Sequence, residues 1–272
     1  MAVLGTFGRL EMEVKQRIRY VCLMVLGAWV CLQASAQFTY GTTGLLHAPT
    51  ADMQRDKTFM LGGGYLNSHA TPSRWYYNTW NYYLNITFFP WLEVGYTCTI
   101  FDEWIRGGKL HMKNQDRSFH ARLRLWKEGW WEPWTPQIVA GVNDFTTGSG
   151  GDYTDMGVGG DGNGYFNRYY VVATKHLLWY GKWGLHAAYV YNRRNKDKLN
   201  GPTLGVDYQF ALPETSTLNK LVNGLNLIAE YDSKFFNVGA KYSIWKDHIN
   251  IVGELYDCKY PSVGVYFKIH LK

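Results

Sequence analysis

Apolar and polar residues alternate along most of the chain after residue 57, in stretches of roughly ten residues. The stretch at 261–271 shows the pattern best, and 204–210 and 236–245 repeat it. Successive side chains of a β-strand point to opposite faces, so the alternation predicts strands with one apolar and one polar face. In 261–271 the apolar set is Val263, Val265, Phe267, Ile269 and Leu271, and the other set is Ser262, Gly264, Tyr266, Lys268 and His270.

The alternation predicts an all-β fold, an antiparallel transmembrane β-barrel of about 12 strands. Strands of ~9–11 residues suit a tilted crossing of a bilayer, and an even number returns both chain ends to one side. The predicted strands are 58–67, 80–89, 92–101, 117–128, 136–145, 166–177, 183–193, 201–210, 225–233, 235–245, 249–256 and 261–271.

The predicted links fit the same topology, with long external and short periplasmic connections. We expect the long outer links at 68–79, 102–116, 146–165 and 194–200. The inner turns fall at 90–91, 129–135, 178–182, 211–224 and 246–248, of which only 211–224 is long.

Aromatic residues cluster at these links, as in the two girdles of a membrane barrel. A soluble β-sandwich would bury its Trp residues in mid-strand, so we favour the barrel. The inner turns carry Trp91, Trp130, Trp131, Trp134, Trp179, Trp183 and Trp245, and the outer ends carry Tyr76, Tyr77, Trp80 and Trp104.

The first residues resemble a secretory signal. Arg17 and Arg19 precede an apolar run at 21–32 and the small residues 34–36, which predicts cleavage before Gln37. A permanent membrane helix is disfavoured because the run is shorter than the ~20 residues needed. A lipoprotein cut at Cys31 and a start at Met12 are alternatives, the former disfavoured by the bulky residues before Cys31.

The predicted organisation is a signal peptide (1–36), an N-terminal segment (37–57) and the barrel (58–272). Two Gly and one Pro between Gly41 and Pro49 argue against a free membrane strand, which predicts a plug or a periplasmic latch.

Composition excludes several function classes. Charged residues make up 18% and aromatic residues 17%, at a mean hydropathy of −0.28, which suits a half-lipid, half-water environment. The predicted leader contributes +2 of the net charge of +6, and the +4 that remains on the mature part is too mild for nucleic-acid binding. Cys98 and Cys258 remain after cleavage, and their pairing stays open. The spacing of Cys and His residues predicts no metal site, and we expect no cofactor.

Strand 117–128 turns a basic face inward, because an Arg facing lipid at mid-membrane costs ~2–4 kcal/mol. One interpretation is a basic pore lining for an anionic glycan. We favour a structural network of ion pairs, which small barrels use to fill their interiors. The lumen-facing candidates are His120, Arg122, Arg124, Glu128, Asp207, Glu230, Lys241 and Glu254, together with Glu93.

Three charged positions at strand ends, Glu128, Asp144 and Lys175, are interpreted either as one buried cluster or as interface caps. The acidic, Gly-rich stretch 148–164 lacks the order of an EF-hand, so we interpret it as a flexible external loop and not as a Ca²⁺ site.

Several motifs together resemble the YjbH family of outer-membrane proteins linked to exopolysaccharide production. The first contains Gly41, Gly44, Pro49 and Thr50, in the order Gly-x-x-Gly-Leu-Leu-x-x-Pro-Thr-Ala. Lys57 stands where the family usually has Gly, and the chain is compact beside the family's longer members. The further motifs are 116–119, 123–128, Pro136, 141–145 and 169–175.

The resemblance implies a role at the outer membrane of a Gram-negative cell in making or exporting surface polysaccharide. Expected partners are outer-membrane lipid, the barrel-assembly machinery (for which 262–269 suits the C-terminal signal), polysaccharide and periplasmic export proteins. The alternative is a structural or partner-binding barrel without transport. A glycan- or lipid-modifying enzyme is a third, minor alternative. We expect no enzyme, because neither Gly-x-Ser-x-Gly nor His-Glu-x-x-His occurs and His69 beside Ser68 stands alone.

Overall fold

The computed structural model describes residues 36–37, 39–71, 78–105, 110–145, 166–192, 200–245 and 247–271, without the side chains of 36, 103–105 and 110–112. These residues belong to one unit, Ala34–Lys272. The predicted leader up to residue 35, Tyr76, Tyr77 and the loop 148–164 lie outside the described residues, as do the side chain of Trp104 and most of the link 194–200.

Fourteen strands are described. A short pair, β1 (Ala36–Gln37) and β2 (Thr42–Thr43), precedes the rest. The others are β3 (Thr58–Leu66), β4 (Thr79–Phe89), β5 (Leu92–Ile105), β6 (Leu110–Trp126), β7 (Gln137–Asn143), β8 (Arg168–Leu178), β9 (Lys182–Tyr191), β10 (Gly201–Gln209), β11 (Leu225–Tyr231), β12 (Phe236–Ile244), β13 (Ile249–Tyr256) and β14 (Tyr260–His270).

Strands β3 to β14 form a closed antiparallel barrel in which each strand pairs with its sequence neighbours. Closure comes from β14 and β3, which pair from His270↔Thr58 to Val263↔Tyr65. The predicted transmembrane barrel of twelve strands is therefore confirmed. Among the described residues, no helix combines the length and hydrophobicity needed to traverse a bilayer.

The barrel wall has its polar face inside and its apolar face outside. In β4 the inward Asn81 and Asn85 are buried, whereas the outward Trp80, Tyr82 and Leu84 are exposed. A water-soluble barrel would show the opposite arrangement, so hydrocarbon is the solvent that suits the outer face.

The two ends of the barrel differ. The turn end carries the start of β3 and the links after β4, β6, β8, β10 and β12, and the loop end carries the links after β3, β5, β7, β9, β11 and β13. Exposed Trp residues concentrate at the turn end, where Trp131 is 78% and Trp134 is 72% exposed. Amphipathic rings settle at membrane–water interfaces, so this ring of side chains marks one boundary of the lipid-facing band.

Two links differ from expectation. The predicted outer link 102–116 is wrong over most of its length, because β5 continues to Ile105 and β6 starts at Leu110. Polar cross-strand pairs such as Asp102 and Lys113, whose charged atoms lie 3.0 Å apart, continue the ladder beyond the apolar band. The long link 211–224 contains a helix, α1 (Thr217–Asn223), where the Ser216 side chain accepts a hydrogen bond from the Asn219 N–H.

Candidate functional site

The N-terminal segment (37–57) lies inside the barrel. Most of its described side chains from Gln37 to Gln54 are buried. Its partners come from strands around the circumference, which only a position in the lumen allows. They include Asn81 and Asn85 of β4, Glu93 and Thr97 of β5, Arg122 of β6, Gln137 of β7, Arg168 and Thr174 of β8, Glu230 of β11 and Glu254 of β13.

The tip of the segment (44–49) is a tight loop that binds the Glu230 carboxylate. Gly44 bridges to Pro49, and the Leu45 N–H donates to the Ala48 carbonyl. This turn points the N–H groups of residues 46, 47 and 48 at Glu230, with N···O distances of 3.0, 2.7 and 3.0 Å. Successive backbone N–H groups form a concave anion site, so the tip is a nest occupied by a side chain of the wall.

Two leucines of the tip fit against glycines of the wall. A Cβ on Gly205 would lie 2.2 Å from Cδ1 of Leu45, and one on Gly239 would lie 2.9 Å from Cδ2 of Leu46. Both glycines face inward on strands β10 and β12, and a larger residue would push the leucines away. The tip is therefore held by shape as well as by hydrogen bonds.

His47 joins the tip to the opposite walls. Its Nε2 lies 3.0 Å from Glu254, and its carbonyl accepts a hydrogen bond from Arg168. Burial alone would lower the pKa of His47, but Glu254, with Glu230 and Asp232 nearby, outweighs it and raises the pKa to about 9. The imidazolium form therefore persists at neutral pH and pairs with Glu254.

The base of the segment (50–52) is held by donors on the wall. Arg122 is 1% exposed, pairs with Glu93 at 3.0 Å and donates to the carbonyls of Thr50 and Asp52. The Ala51 N–H donates to the Thr174 hydroxyl at 2.8 Å.

Asp52 begins a chain of charges at the turn end. His176 lies between two carboxylates, with Nε2 at 3.3 Å from Asp52 and Nδ1 at 2.6 Å from Glu128. Both ring nitrogens donate only in the imidazolium form. Burial would raise the pKa of Asp52, but the His176 charge outweighs it and holds this pKa well below its usual range. Lys175 pairs with Glu128 at 2.8 Å.

The predicted cluster of Glu128, Asp144 and Lys175 is wrong in one member. Glu128 and Lys175 meet at the turn end, whereas Asp144 follows β7 at the loop end. Asp144 has φ of 52° and accepts, through its carbonyl, a hydrogen bond from Asn167. The chain direction of β7 separates the two ends, which the sequence motif alone does not show.

The other predicted lumen residues face inward, but their partners differ from those expected. Of the ion pairs expected between the basic face of strand 117–128 and Glu93, Asp207, Glu230 or Glu254, the described residues show only Arg122–Glu93. Glu230 and Glu254 bind the N-terminal segment, and Asp207 binds His186 and Asn226. His120 bonds to Thr97 and Asn143, Lys241 is buried, and Arg124 is half-buried beside a β-bulge.

Sequence reasoning missed several residues that hold the segment. Arg168, Thr174, Gln137 and His186 stand on alternating inward positions, so the period-two pattern could have placed them in the lumen. Their role becomes visible only when the segment is placed between the walls. Cys98 and Cys258 are both free, one buried and one exposed. Among the described residues, no group of three His, Cys, Asp or Glu is arranged to hold a metal.

Comparisons with known proteins identify a family to which the chain is similar. The model of the YjbH family, described as exopolysaccharide biosynthesis protein YbjH, matches residues 36–217. A relative in Escherichia coli strain K12, named uncharacterized lipoprotein YjbH, is 28% identical over 144 residues. That match covers 52% of this chain and 17% of the relative, so the chain spans well under a quarter of the relative's length.

Solved barrels show remote similarity. The outer membrane phospholipase of Salmonella typhi aligns with 79% of this chain and 90% of its own, at 12% identity and a TM-score of 0.35. A structure titled bacterial polysaccharide outer membrane secretin aligns with 81% of this chain and 100% of its own, at 9% identity and a TM-score of 0.32.

Proposed function

The chain belongs to the YjbH family of exopolysaccharide biosynthesis proteins, and on this premise we propose that it is an outer-membrane conduit for surface polysaccharide, closed by its N-terminal segment. Family membership supports the link to polysaccharide. An apolar outer wall, a Trp-rich turn end and full closure support insertion in a membrane. Among bacterial membranes, the outer one is where such barrels reside. We assign the turn end to the periplasm.

The observation that carries the proposal is the filling of a polar lumen by a separate chain segment. Charged wall residues such as Glu230 and Arg122 bind backbone groups of this segment. A barrel filled by its own side chains needs no insert. With the segment withdrawn, these groups would line a hydrophilic path, which is what a polysaccharide requires.

The family signature supports the same assignment. Gly41, Gly44, Pro49 and Thr50 all belong to the inserted segment. Gly41 has φ of 69°, and a Cβ there would lie 2.5 Å from that of Tyr83. Gly44 and Pro49 close the tip. The signature residues therefore give the segment the shape that fits the lumen. This structural role explains their presence without catalysis.

A scaffold without transport is the second candidate. The fit of Leu45 and Leu46 against glycines and the buried Arg122–Glu93 pair favour it, because both give the inserted segment a close, permanent fit. Such a barrel would bind periplasmic partners and never open. The tests below separate the two candidates.

We further propose that the barrel has no catalytic role. Thr174, His186 and Asp207 form a hydrogen-bonded chain with links of 2.8 Å, which resembles a nucleophile, a base and an orienting acid. Here the Thr174 hydroxyl is buried and accepts the Ala51 N–H. This chain therefore anchors the N-terminal segment.

Replacing the central part of the segment tests the proposal. The purified barrel and a variant in which glycine and serine replace residues 41–52 would be reconstituted in planar bilayers. We expect the full chain to stay closed and the replaced variant to conduct, because the replacement keeps the chain length and removes the nest, both leucines and Asp52. If neither protein conducts, and both assemble normally and support normal surface polysaccharide in cells, the barrel is a scaffold without transport.

A further inference from the structure

The outer wall of the barrel contains a groove of about 600 Å³ on strands β8 to β11. Alanines form its floor at outward positions 173, 187 and 229. Its sides are formed by larger apolar residues, among them Leu185, Leu204 and Phe236. The volume lies within the ~300–1,000 Å³ typical of ligand sites.

The strand register shows the direction of the groove. Ala173 pairs with Ala187, Ala187 with Leu204, and Leu204 with Tyr231, so one outward row crosses four strands. Tyr231 ends β11 at the loop end, whereas β8 runs on for five residues past Ala173 to the turn end at Leu178. Because the strands tilt, the row climbs diagonally across the lipid-facing wall.

The length of the groove suits one lipid chain. Three strand spacings of ~4.8 Å give about 14 Å. Because the strands tilt by ~35–45°, this diagonal length covers about 9 Å of depth, which lies within the ~15 Å that the acyl chains of one leaflet fill in a hydrocarbon core of ~30 Å. The small floor residues let such a chain lie flat against the wall.

Charge favours a headgroup at the end near β8. Pro136 and Lys175 close the groove there, and Lys175 points outward next to the turn end. The Lys175 ammonium pairs with Glu128, and its side chain keeps 26% of its exposed area. A cation at the membrane boundary attracts a lipid phosphate. Of the other charged and titratable residues of the lining, His186 and Glu230 turn their side chains to the lumen, and the Tyr231 hydroxyl donates to the Ser233 carbonyl.

We propose that this groove is a specific site for one phospholipid, whose acyl chain packs on Ala173, Ala187 and Ala229 and whose phosphate lies near Lys175. The site lies on the opposite face of the wall from the lumen. It is therefore independent of whether the barrel conducts polysaccharide.

Filling the groove tests the site. The intact barrel would be extracted in mild detergent, and bound lipid would be counted by native mass spectrometry. We expect one retained phospholipid in the wild type and a fall of about tenfold or more in Ala187→Phe/Ala229→Phe, since each excluded methylene weakens binding about fourfold. Ala240→Phe is the matched control, because Ala240 is also a small residue in mid-strand that faces outward, on β12 outside the groove.

Three outcomes would overturn the proposal: no retained lipid in the wild type, equal loss in the control, or the mass of lipid A or of a second copy of the chain in place of a phospholipid. If the Phe variants fail to assemble, Ala187→Cys and Ala240→Cys replace them, each made in a background with Cys98→Ser and Cys258→Ser and carrying a fluorescent label. Phospholipid with brominated acyl chains should then quench the label at position 187 more strongly, and equal quenching would refute the site.

Discussion

The tip and the base of the N-terminal segment are held mainly by wall groups of opposite charge. At the tip (44–49), the segment donates three backbone N–H groups to a carboxylate of the wall, Glu230. At the base (50–52), the cationic side chains of Arg122 and His176 bind the carbonyl and the carboxylate of Asp52, while the Thr174 hydroxyl accepts the Ala51 N–H. The tip also has an apolar fit, with Leu45 against Gly205.

The difference indicates how the segment is retained. The nest depends on backbone geometry and tolerates changes in side chains that keep the turn. The base depends on charged side chains, so it is sensitive to the loss of any one partner and to acid, whereas the charge of His47 makes the tip sensitive to alkali. If the segment withdraws toward the turn end, the base lies nearest the exit, and release of its charges would precede release of the tip.

The largest expected effect comes from removing the tip's acceptor. Glu230→Ala leaves three buried N–H groups without that carboxylate, at ~1–3 kcal/mol for each unsatisfied group. We expect the segment to leave the lumen and the reconstituted barrel to conduct. Glu230→Gln keeps one carbonyl acceptor and should conduct less often. A closed barrel with unchanged resistance to unfolding in Glu230→Ala would contradict the nest.

Arg122→Met should have the next largest effect, at the base. The change leaves the buried Glu93 carboxylate without its cationic partner, and breaking a buried ion pair costs ~3–5 kcal/mol. We expect the segment to become accessible to protease from the turn end while the tip still resists. Adding Glu93→Gln removes the unpaired negative charge and should restore part of the resistance of the base to protease. Equal exposure of tip and base would show that the two do not act separately.

A change of pH should distinguish the tip from the base, with a smaller loss of stability than either substitution causes. The pKa of His47 is about 9 in the folded chain against 6.5 in the free residue, so its stabilising contribution is complete below pH 6.5 and is lost as pH rises through about 9. The pKa of Asp52 is lowered, so its contribution holds above its ordinary pKa of 3.8 and is lost on acidification below it.

Conductance measured against pH should therefore rise in alkali through the tip and in strong acid through the base. His47→Gln should flatten the alkaline change and leave the acidic one. Loss of the acidic change in the same variant would contradict the assignment of the two groups to separate regions.

The sequence predicted the barrel well because lipid and water impose the period of two on every strand. Inward positions such as His120 and Glu254 follow from it directly. The ends of β5 and β6 did not, since adjacent polar residues such as Asp102 and Glu103 in β5, and Lys113 and Asn114 in β6, interrupt the alternation there.

The contacts of the N-terminal segment could not be predicted from the sequence for another reason. Glu230 lies more than 180 residues after its partners at the tip, and outside the region 36–217 that the family model matches. A backbone nest also has no side-chain signature. The motif at 41–52 could be recognised, but the carboxylate that binds it could not.

Locking the tip to the wall would test the central claim, that the N-terminal segment leaves the lumen during polysaccharide export. Cysteines at positions 45 and 205 suit a disulfide, because Cγ of Leu45 lies 3.6 Å from where a Cβ on Gly205 would stand. Cys98 and Cys258 would be changed to serine, and that background serves as the control. If the segment leaves the lumen during export, Leu45→Cys/Gly205→Cys should stop surface polysaccharide under oxidising conditions, and a reductant should restore it. Normal polysaccharide from cells whose barrel is fully cross-linked would show instead that the barrel is a scaffold that never opens.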